Sequence, residues 1–122
     1  MPELTITIPG NLRIKKNSKR IFSMGKYKKV LPSEAYVLWE SRVRAEAWQW
    51  AMIPPLTCPV EVTALVYIKG QLPDLSGCLE SVGDAMQGII WADDKLIYSW
   101  DGSRVLKDKE NPRTEIVVRW ND

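Results

Sequence analysis

The chain has 122 residues, 45% of them hydrophobic and 26% charged, which suffices for one core of two packed layers but not for a second domain. It has no His, which excludes a His-based general base, and its two Cys form no CxxC pair, so neither a disulfide framework nor a zinc site is indicated. The net charge of +2 conceals an asymmetry, because residues 1–33 carry +7 and the rest of the chain −5.

The first part of the chain predicts a strand followed by a loop. Residues 3–8 alternate polar and apolar, as in a half-buried strand, and Pro9-Gly10 ends the alternation. Residues 11–32 are rich in charge and weak in periodicity. We predict a long basic surface loop there, with room for a short hairpin about residues 23–25.

The middle of the chain predicts two helices separated by a strand. The first helix begins after Ser33, which can cap it, and its apolar residues recur at helical spacing as far as Trp50. Residues 60–69 alternate as in a strand that has one face on the core. The second helix covers roughly residues 75–87, with Asp74 at its N-terminus and Gly88 as its stop.

The last part of the chain predicts two more strands, at residues 95–100 and 114–120, with a turn at Asp101-Gly102 between them. We therefore expect an α+β fold. A mixed sheet of about four strands would carry both helices on one face, in a single domain over residues 1–122. The sequence shows neither a secretory signal pattern nor a run of about 18 apolar residues, so we expect a cytoplasmic protein outside the membrane.

Acidic residues gather around the second helix. Ser76, Glu80 and Asp84 are spaced by four and therefore lie on one stripe of that helix, away from its apolar side. Taken singly, a helix cap, a turn and an exposed helix face explain these acids. Taken together, they would repel one another unless a cation neutralises them. The candidate metal ligands are Asp74, Asp94, Glu80 and Asp84, with Asp93 in support.

An oxygen-only ligand set indicates a particular chemistry. It suits hard cations such as Mg²⁺ or Mn²⁺, which neutralise phosphate charge and activate water. Basic side chains next to such a centre would hold the polyanion, and Lys15, Lys16, Lys19 and Arg20 are the candidate DNA contacts. On charge alone, a solvated basic loop without a partner is an equal alternative.

Three runs of the chain resemble the RusA-type Holliday junction resolvases, small endonucleases of bacteriophages and prophages. They are Pro73-Asp74-Leu75-Ser76, Asp84-Ala85-Met86-Gln87-Gly88, and Trp91-Ala92-Asp93-Asp94 with Ile97 beyond it. The basic residues 15–19 and the Trp-containing helix after them resemble the N-terminal half of that family. The resemblance implies a homodimeric, Mg²⁺-dependent enzyme of DNA recombination and repair that nicks four-way junctions symmetrically, with catalytic residues Asp74, Asp94, Asp93 and Glu80.

The chain departs from the family pattern Asp-x-Asp-Asn-x-x-Lys at three positions. Ser76, Gly77 and Glu80 stand where the family has its second Asp, its Asn and its Lys. One hypothesis is that Glu80, one helical turn beyond Ser76 on the same stripe, restores the missing carboxylate, and we favour it. The alternatives are a catalytically inactive protein that binds DNA junctions and a protein-interaction domain whose basic arm docks on an acidic partner.

Overall fold

The computed structural model describes residues 1–15, 20–24, 27–31 and 33–121 of the chain. These ranges contain seven strands and two α-helices: β1 (Glu3–Pro9), β2 (Arg20–Met24), β3 (Tyr27–Leu31), α1 (Glu34–Ala47), β4 (Val60–Ile68), α2 (Leu75–Met86), β5 (Ile97–Ser99), β6 (Arg104–Lys107) and β7 (Arg113–Trp120). Short 3₁₀ turns occupy Trp48–Trp50 and Asp94–Leu96. Neither α-helix in these ranges has the length and apolar character that crossing a membrane requires.

Five of the described strands form one mixed sheet. Its order is β1-β7-β4-β5, and β6 also pairs with β4. β7 runs antiparallel to β1 and β4, whereas β5 and β6 run parallel to β4. The predicted α+β fold is confirmed, with five strands in place of four. The strand that the sequence did not indicate is β6, whose four residues are too few to show an alternation.

The core lies on one face of this sheet, and the strand register determines which side chains reach it. Ile6 of β1, Ile116 of β7 and Ala64 of β4 occupy one row across the sheet, and all three are buried. Every second residue of β4 is likewise buried, as the alternation of residues 60–69 predicted. The apolar sides of the helices complete the core, and α1 contacts α2 and β1 while α2 contacts β4.

Both helices begin where the sequence indicated, while α1 ends at Ala47 and residues Trp48–Trp50 form a 3₁₀ turn. The Ser33 hydroxyl accepts a hydrogen bond from the backbone N–H of Tyr36, which caps α1. Tyr36, Trp39, Val43 and Ala47 then recur along the buried side of that helix. At the end of α2 the chain turns at Gly88, whose φ of 82° favours glycine.

The predicted surface loop at residues 11–32 requires a correction. Leu12 and Ile14 are buried in the core, with only 4% and 8% of their surface exposed. They alternate with Arg13 and Lys15, so the apolar side chains turn inward while the cations turn outward. Further along, β2 and β3 pair as an antiparallel hairpin with Met24 opposite Tyr27, near the place where the sequence left room for one.

Candidate active site

The N-terminus of α2 is fixed by Asp74. One carboxylate oxygen, Oδ1, accepts a hydrogen bond from the backbone N–H of Gly77 at 3.1 Å. This is the helix-cap role that Asp has most often after a loop. Burial, and to a smaller extent the charge of Asp74, raises the pKa of the neighbouring Cys78 thiol to about 11. The Cys78 thiol is therefore protonated at neutral pH and unreactive.

Two of the predicted catalytic residues face one cavity of about 280 Å³. Glu80 approaches it from α2, and Asp94 approaches it from the segment that follows the helix. Ser76 also lines the cavity, one helical turn before Glu80. The apolar part of the wall consists of Leu79, Gly83, Ile97 and Trp100. The structure thus places both positions involved in the departure from the family pattern, 76 and 80, in the same cavity as Asp94.

Hydrogen bonds attach the segment that carries Asp94 to α2 and to the two residues that follow this helix. The buried Trp91 donates its indole N–H to the carbonyl of Gly83 at 3.1 Å. The backbone N–H of Asp94 donates to the Gln87 side chain at 3.0 Å, and that of Gly88 donates to the Trp91 carbonyl at 2.7 Å. The Asp94 side chain consequently packs against Gly83, so a methyl group there would lie 3.6 Å from its Cβ.

Asp93 has a supporting position. Its carboxylate accepts a hydrogen bond from the backbone N–H of Lys95 at 2.9 Å and caps the 3₁₀ turn that begins with Asp94. That hydrogen bond lowers the pKa of Asp93. The pKa of Asp94 is instead raised, first by burial and then by a hydrogen bond with Asp93 and by the charges of Asp84 and Asp93. A carboxylate of α2, that of Asp84, therefore raises the pKa of Asp94, which is the kind of repulsion that their crowding in the sequence suggested.

Asp84 belongs to a second group of charges next to the cavity. The Lys15 ammonium lies 3.7 Å from an Asp84 carboxylate oxygen. Burial raises the pKa of Asp84, the Lys15 charge opposes this shift, and the charges of Glu80 and Glu40 add to it. In the structure Lys15, predicted as a phosphate contact, is thus beside a carboxylate of the candidate site.

Glu40 and Tyr36 of α1 are neighbours of this group that the sequence did not indicate. The Tyr36 hydroxyl donates a hydrogen bond to Glu40 at 2.6 Å, and burial together with that carboxylate strongly raises the pKa of Tyr36. The charges of Asp84 and Glu80 contribute to the same shift. The only sequence signal was the spacing of four between positions 36 and 40, which places both residues on one side of α1.

Of the other predicted DNA contacts, Lys16 and Lys19 lie outside the described residues. Arg20 is the first residue of β2, and only its backbone is described. The basic arm as a DNA contact remains a prediction.

Comparison with known families decides the class of the protein. The family model described as Endodeoxyribonuclease RusA matches residues 9–119, nearly the whole chain. The chain belongs to the RusA endodeoxyribonuclease family. A search of curated proteins gives no match. The resemblance seen in the sequence is confirmed, and every candidate residue from Lys15 to Asp94 falls inside the matched range.

As a RusA family member the protein is an endodeoxyribonuclease, and its ligands for a metal can be tested against the structure. In the described parts of the chain no three Asp, Glu or Cys side chains lie close enough together to hold an ion. Asp74 and Asp84 are ten positions apart on α2, a rise of about 15 Å, so they cannot share one ion. However, Mg²⁺ is commonly held by one or two carboxylates plus substrate phosphates and water. Glu80 and Asp94, on one cavity, fit such a partial set.

One residue of α1 holds the C-terminal end of α2, after which the chain turns toward Asp94. The Arg44 guanidinium donates hydrogen bonds to the backbone carbonyls of Ala85 at 3.0 Å and Gln87 at 2.8 Å, and it also approaches that of Asp84. These carbonyls belong to the last turn of the helix, where no partner within the helix is available. Arg44 therefore fixes the point from which Gln87 positions Asp94.

Proposed function

We propose that this RusA family member is a Mg²⁺-dependent, structure-selective endonuclease that resolves four-way DNA junctions by two symmetric nicks, acting as a cytoplasmic homodimer. One observation carries the proposal: in a chain that matches the family over residues 9–119, Glu80 and Asp94 face the same cavity. Two carboxylates at one cavity can hold a divalent cation. The cation can then bind the anionic phosphodiester, which the carboxylates alone would repel.

In this proposal Glu80 and Asp94 are the residues that hold the metal. Bound there, Mg²⁺ would neutralise the charge of a phosphate and make water more acidic. Asp93 orients Asp94 by capping the turn on which it lies. Asp74 keeps α2 in register with the cavity through its cap on Gly77.

Lys15 links the acidic residues to DNA. Its ammonium balances Asp84 in the structure, at 3.7 Å, and 43% of its side chain is exposed. A phosphate that enters the site would compete with Asp84 for this cation. We propose that Lys15, with Lys16, Lys19 and Arg20, holds the backbone of branched DNA, since phosphate contacts supply most of the affinity of such proteins.

The second candidate function is a junction-binding protein that does not cut. It is favoured by Ser76, which stands where the family pattern has a carboxylate, and by the lack of three clustered ligands in the described residues. The two functions require the same DNA and differ only in the chemical step.

One experiment separates the two functions. A synthetic four-way junction and a linear duplex of the same sequence are incubated with the protein in Mg²⁺ or in EDTA. Two symmetric nicks in the junction, seen only with Mg²⁺, support the endonuclease. Tight binding of the junction without nicks in either condition supports the binding protein. Equal cutting of both DNAs would contradict structure selectivity.

A further inference from the structure

A second cavity, of about 410 Å³, is lined in part by the chain segment that leads into α2. Its walls come from residues 11–14, from the first turn of α1, and from residues 68–73 between β4 and α2. It ends at Pro73, whereas the carboxylate cavity begins at Ser76. Lining residues of the two cavities are therefore only three positions apart in the sequence.

The charges at the two cavities are opposite. Glu80 and Asp94 line the first, while the charged residues that line the second are Arg13 and Lys69. Both cations are exposed, and neither takes part in any ion pair found in the described residues. An open polar cavity with two cations that have no carboxylate partner in the part of the chain that the structure describes is suited to an anion.

The backbones that carry these two cations are held in place. The Asn11 side chain accepts a hydrogen bond from the backbone N–H of Lys69 at 2.9 Å and donates one to its carbonyl at 3.0 Å. The buried Ser81 of α2 donates its hydroxyl to the carbonyl of Arg13 at 2.8 Å. Leu12, buried next to Arg13, directs the Arg13 side chain outward. The backbones are thus fixed before any ligand arrives, while the charged ends remain available.

We propose that this cavity is a phosphate subsite. In it, Arg13 and Lys69 hold a backbone phosphate of the DNA that is close to the phosphate at the carboxylate cavity. The inference rests on the proposed function, because the anion it names is part of the DNA substrate. A guanidinium and an ammonium that converge on one phosphate form charge-assisted hydrogen bonds and release counterions from the DNA. The subsite would set which phosphate lies opposite Glu80 and Asp94, a positioning role distinct from holding the metal.

The test compares two double variants of equal charge. Arg13→Gln with Lys69→Gln removes both cations of the cavity. Arg104→Gln with Lys109→Gln removes an exposed Arg and an exposed Lys that lie outside it. Binding of a fluorescent four-way junction is followed by anisotropy over a series of KCl concentrations, in EDTA so that the DNA stays intact. Thermal melts of both variants confirm that the fold is retained.

The proposal predicts that the slope of log affinity against log salt becomes shallower by about 0.9 for each subsite occupied in the cavity variant, and that the control variant keeps the wild-type slope. Equal slopes in the two double variants would overturn the subsite, since the effect would then be one of net charge. If the wild type itself shows no salt-dependent binding of DNA, the proposed function and the subsite both fail. If the wild type binds DNA in a salt-dependent way and the cavity variant shows the same slope, only the subsite is refuted.

A second measurement locates the phosphate. Single uncharged methylphosphonate linkages are placed one at a time along the junction strands near the point of exchange. The wild type should lose affinity at one linkage per protomer, and the cavity variant should show no loss at that linkage because its partner cations are already absent. A loss of equal size in the wild type and the cavity variant at every linkage would contradict the assignment.

Discussion

At the scale of single residues, the site is defined by an exchange within one turn of α2. A hydroxyl occupies position 76 where RusA-type enzymes carry a carboxylate, and a carboxylate occupies position 80 where they carry a cation. Both side chains line the cavity that Asp94 reaches from the other side. Positions 76 and 80 together therefore supply one carboxylate, as the family pattern does, but from the other position, which is the physical basis for expecting activity.

The exchange predicts the behaviour of two variants. Glu80→Gln should reduce Mg²⁺-dependent cleavage of a four-way junction by a factor of roughly 10–100 or more, since the loss of a residue that only supports a metal ligand already costs that much. Adding Ser76→Asp to Glu80→Gln should recover part of the rate, because the carboxylate returns one turn away on the same stripe. Cleavage rates are measured in single-turnover assays with Glu110→Gln, an exposed residue outside the cavity, as the control. If Glu80→Gln cuts as fast as the control, Glu80 has no part in the mechanism.

Asp84 predicts a pH dependence of stability. Its pKa in the folded protein is raised, chiefly by burial. At pH values between its ordinary pKa and the raised one, the folded state therefore holds a proton that the unfolded chain releases. This group therefore costs stability as the pH rises from below its ordinary pKa of about 4 to above the raised value. In EDTA, Asp84→Asn should unfold at a higher temperature than the wild type at pH 7, with a smaller gain at pH 4.

The control for this comparison is Asp101→Asn, an exposed residue that lies outside α2 and does not line the cavity. It should leave the unfolding temperature nearly unchanged at both pH values. A lower unfolding temperature for Asp84→Asn at pH 7 would show that the contact with Lys15 outweighs the cost of burying the carboxylate.

At the scale of elements, the site depends on how the two ends of α2 are held. Asp74 caps the first end, and Arg44 of α1 binds the carbonyls of the other. Hydrogen bonds of Trp91 and Gln87 then hold the segment after the helix, so that Asp94 lies against α2. The geometry of the cavity thus depends on how the α2 termini are held, together with Ile97 of the sheet strand β5 in its wall.

Arg44→Met should lower the free energy of unfolding by about 1–3 kcal/mol, since a charged donor to several terminal carbonyls is lost while much of the aliphatic packing stays. Urea denaturation measures the loss. Arg104→Met, at an exposed position without a described partner, is the control and should change stability by less than about 0.5 kcal/mol. A loss no larger than that of the control would mean that water replaces Arg44 at the helix end.

The sequence predicted the long elements well for physical reasons. Both helices and the strands β4 and β7 bury one side each, so their apolar residues repeat at the helix or strand period. The burial of Leu12 and Ile14 was missed because two apolar residues among many charges carry too little periodicity.

The candidate site was predictable in part. The stripe of Ser76, Glu80 and Asp84 follows from helical spacing alone, and the shared cavity agrees with it for positions 76 and 80. The roles of Glu40, Gln87 and Arg44 were not predictable, since they depend on where α1 crosses α2 and on how the chain turns after Gly88. Such contacts between distant segments leave no periodic signal in the sequence.

At the scale of the whole molecule, the proposed reaction requires two sites. A four-way junction has near two-fold symmetry, and symmetric nicks on opposing strands need two identical active sites in a fixed relation, which a C2 dimer provides. We therefore expect a homodimer of about 28 kDa, twice the chain mass of 14.0 kDa. Light scattering coupled to size-exclusion chromatography measures this mass directly. A mass of 14.0 kDa at micromolar concentration, with and without DNA, would contradict the symmetric mechanism.

The central claim is that the cavity between α2 and Asp94 is the centre of a nuclease, and Asp94→Asn tests it most directly. The substitution keeps the shape of the side chain and its backbone contact with Gln87 while it removes the charge. On the same junction, in Mg²⁺, the account predicts that the variant binds as tightly as the wild type or more tightly, but makes no nicks. Nicking by Asp94→Asn at the wild-type rate would contradict the account.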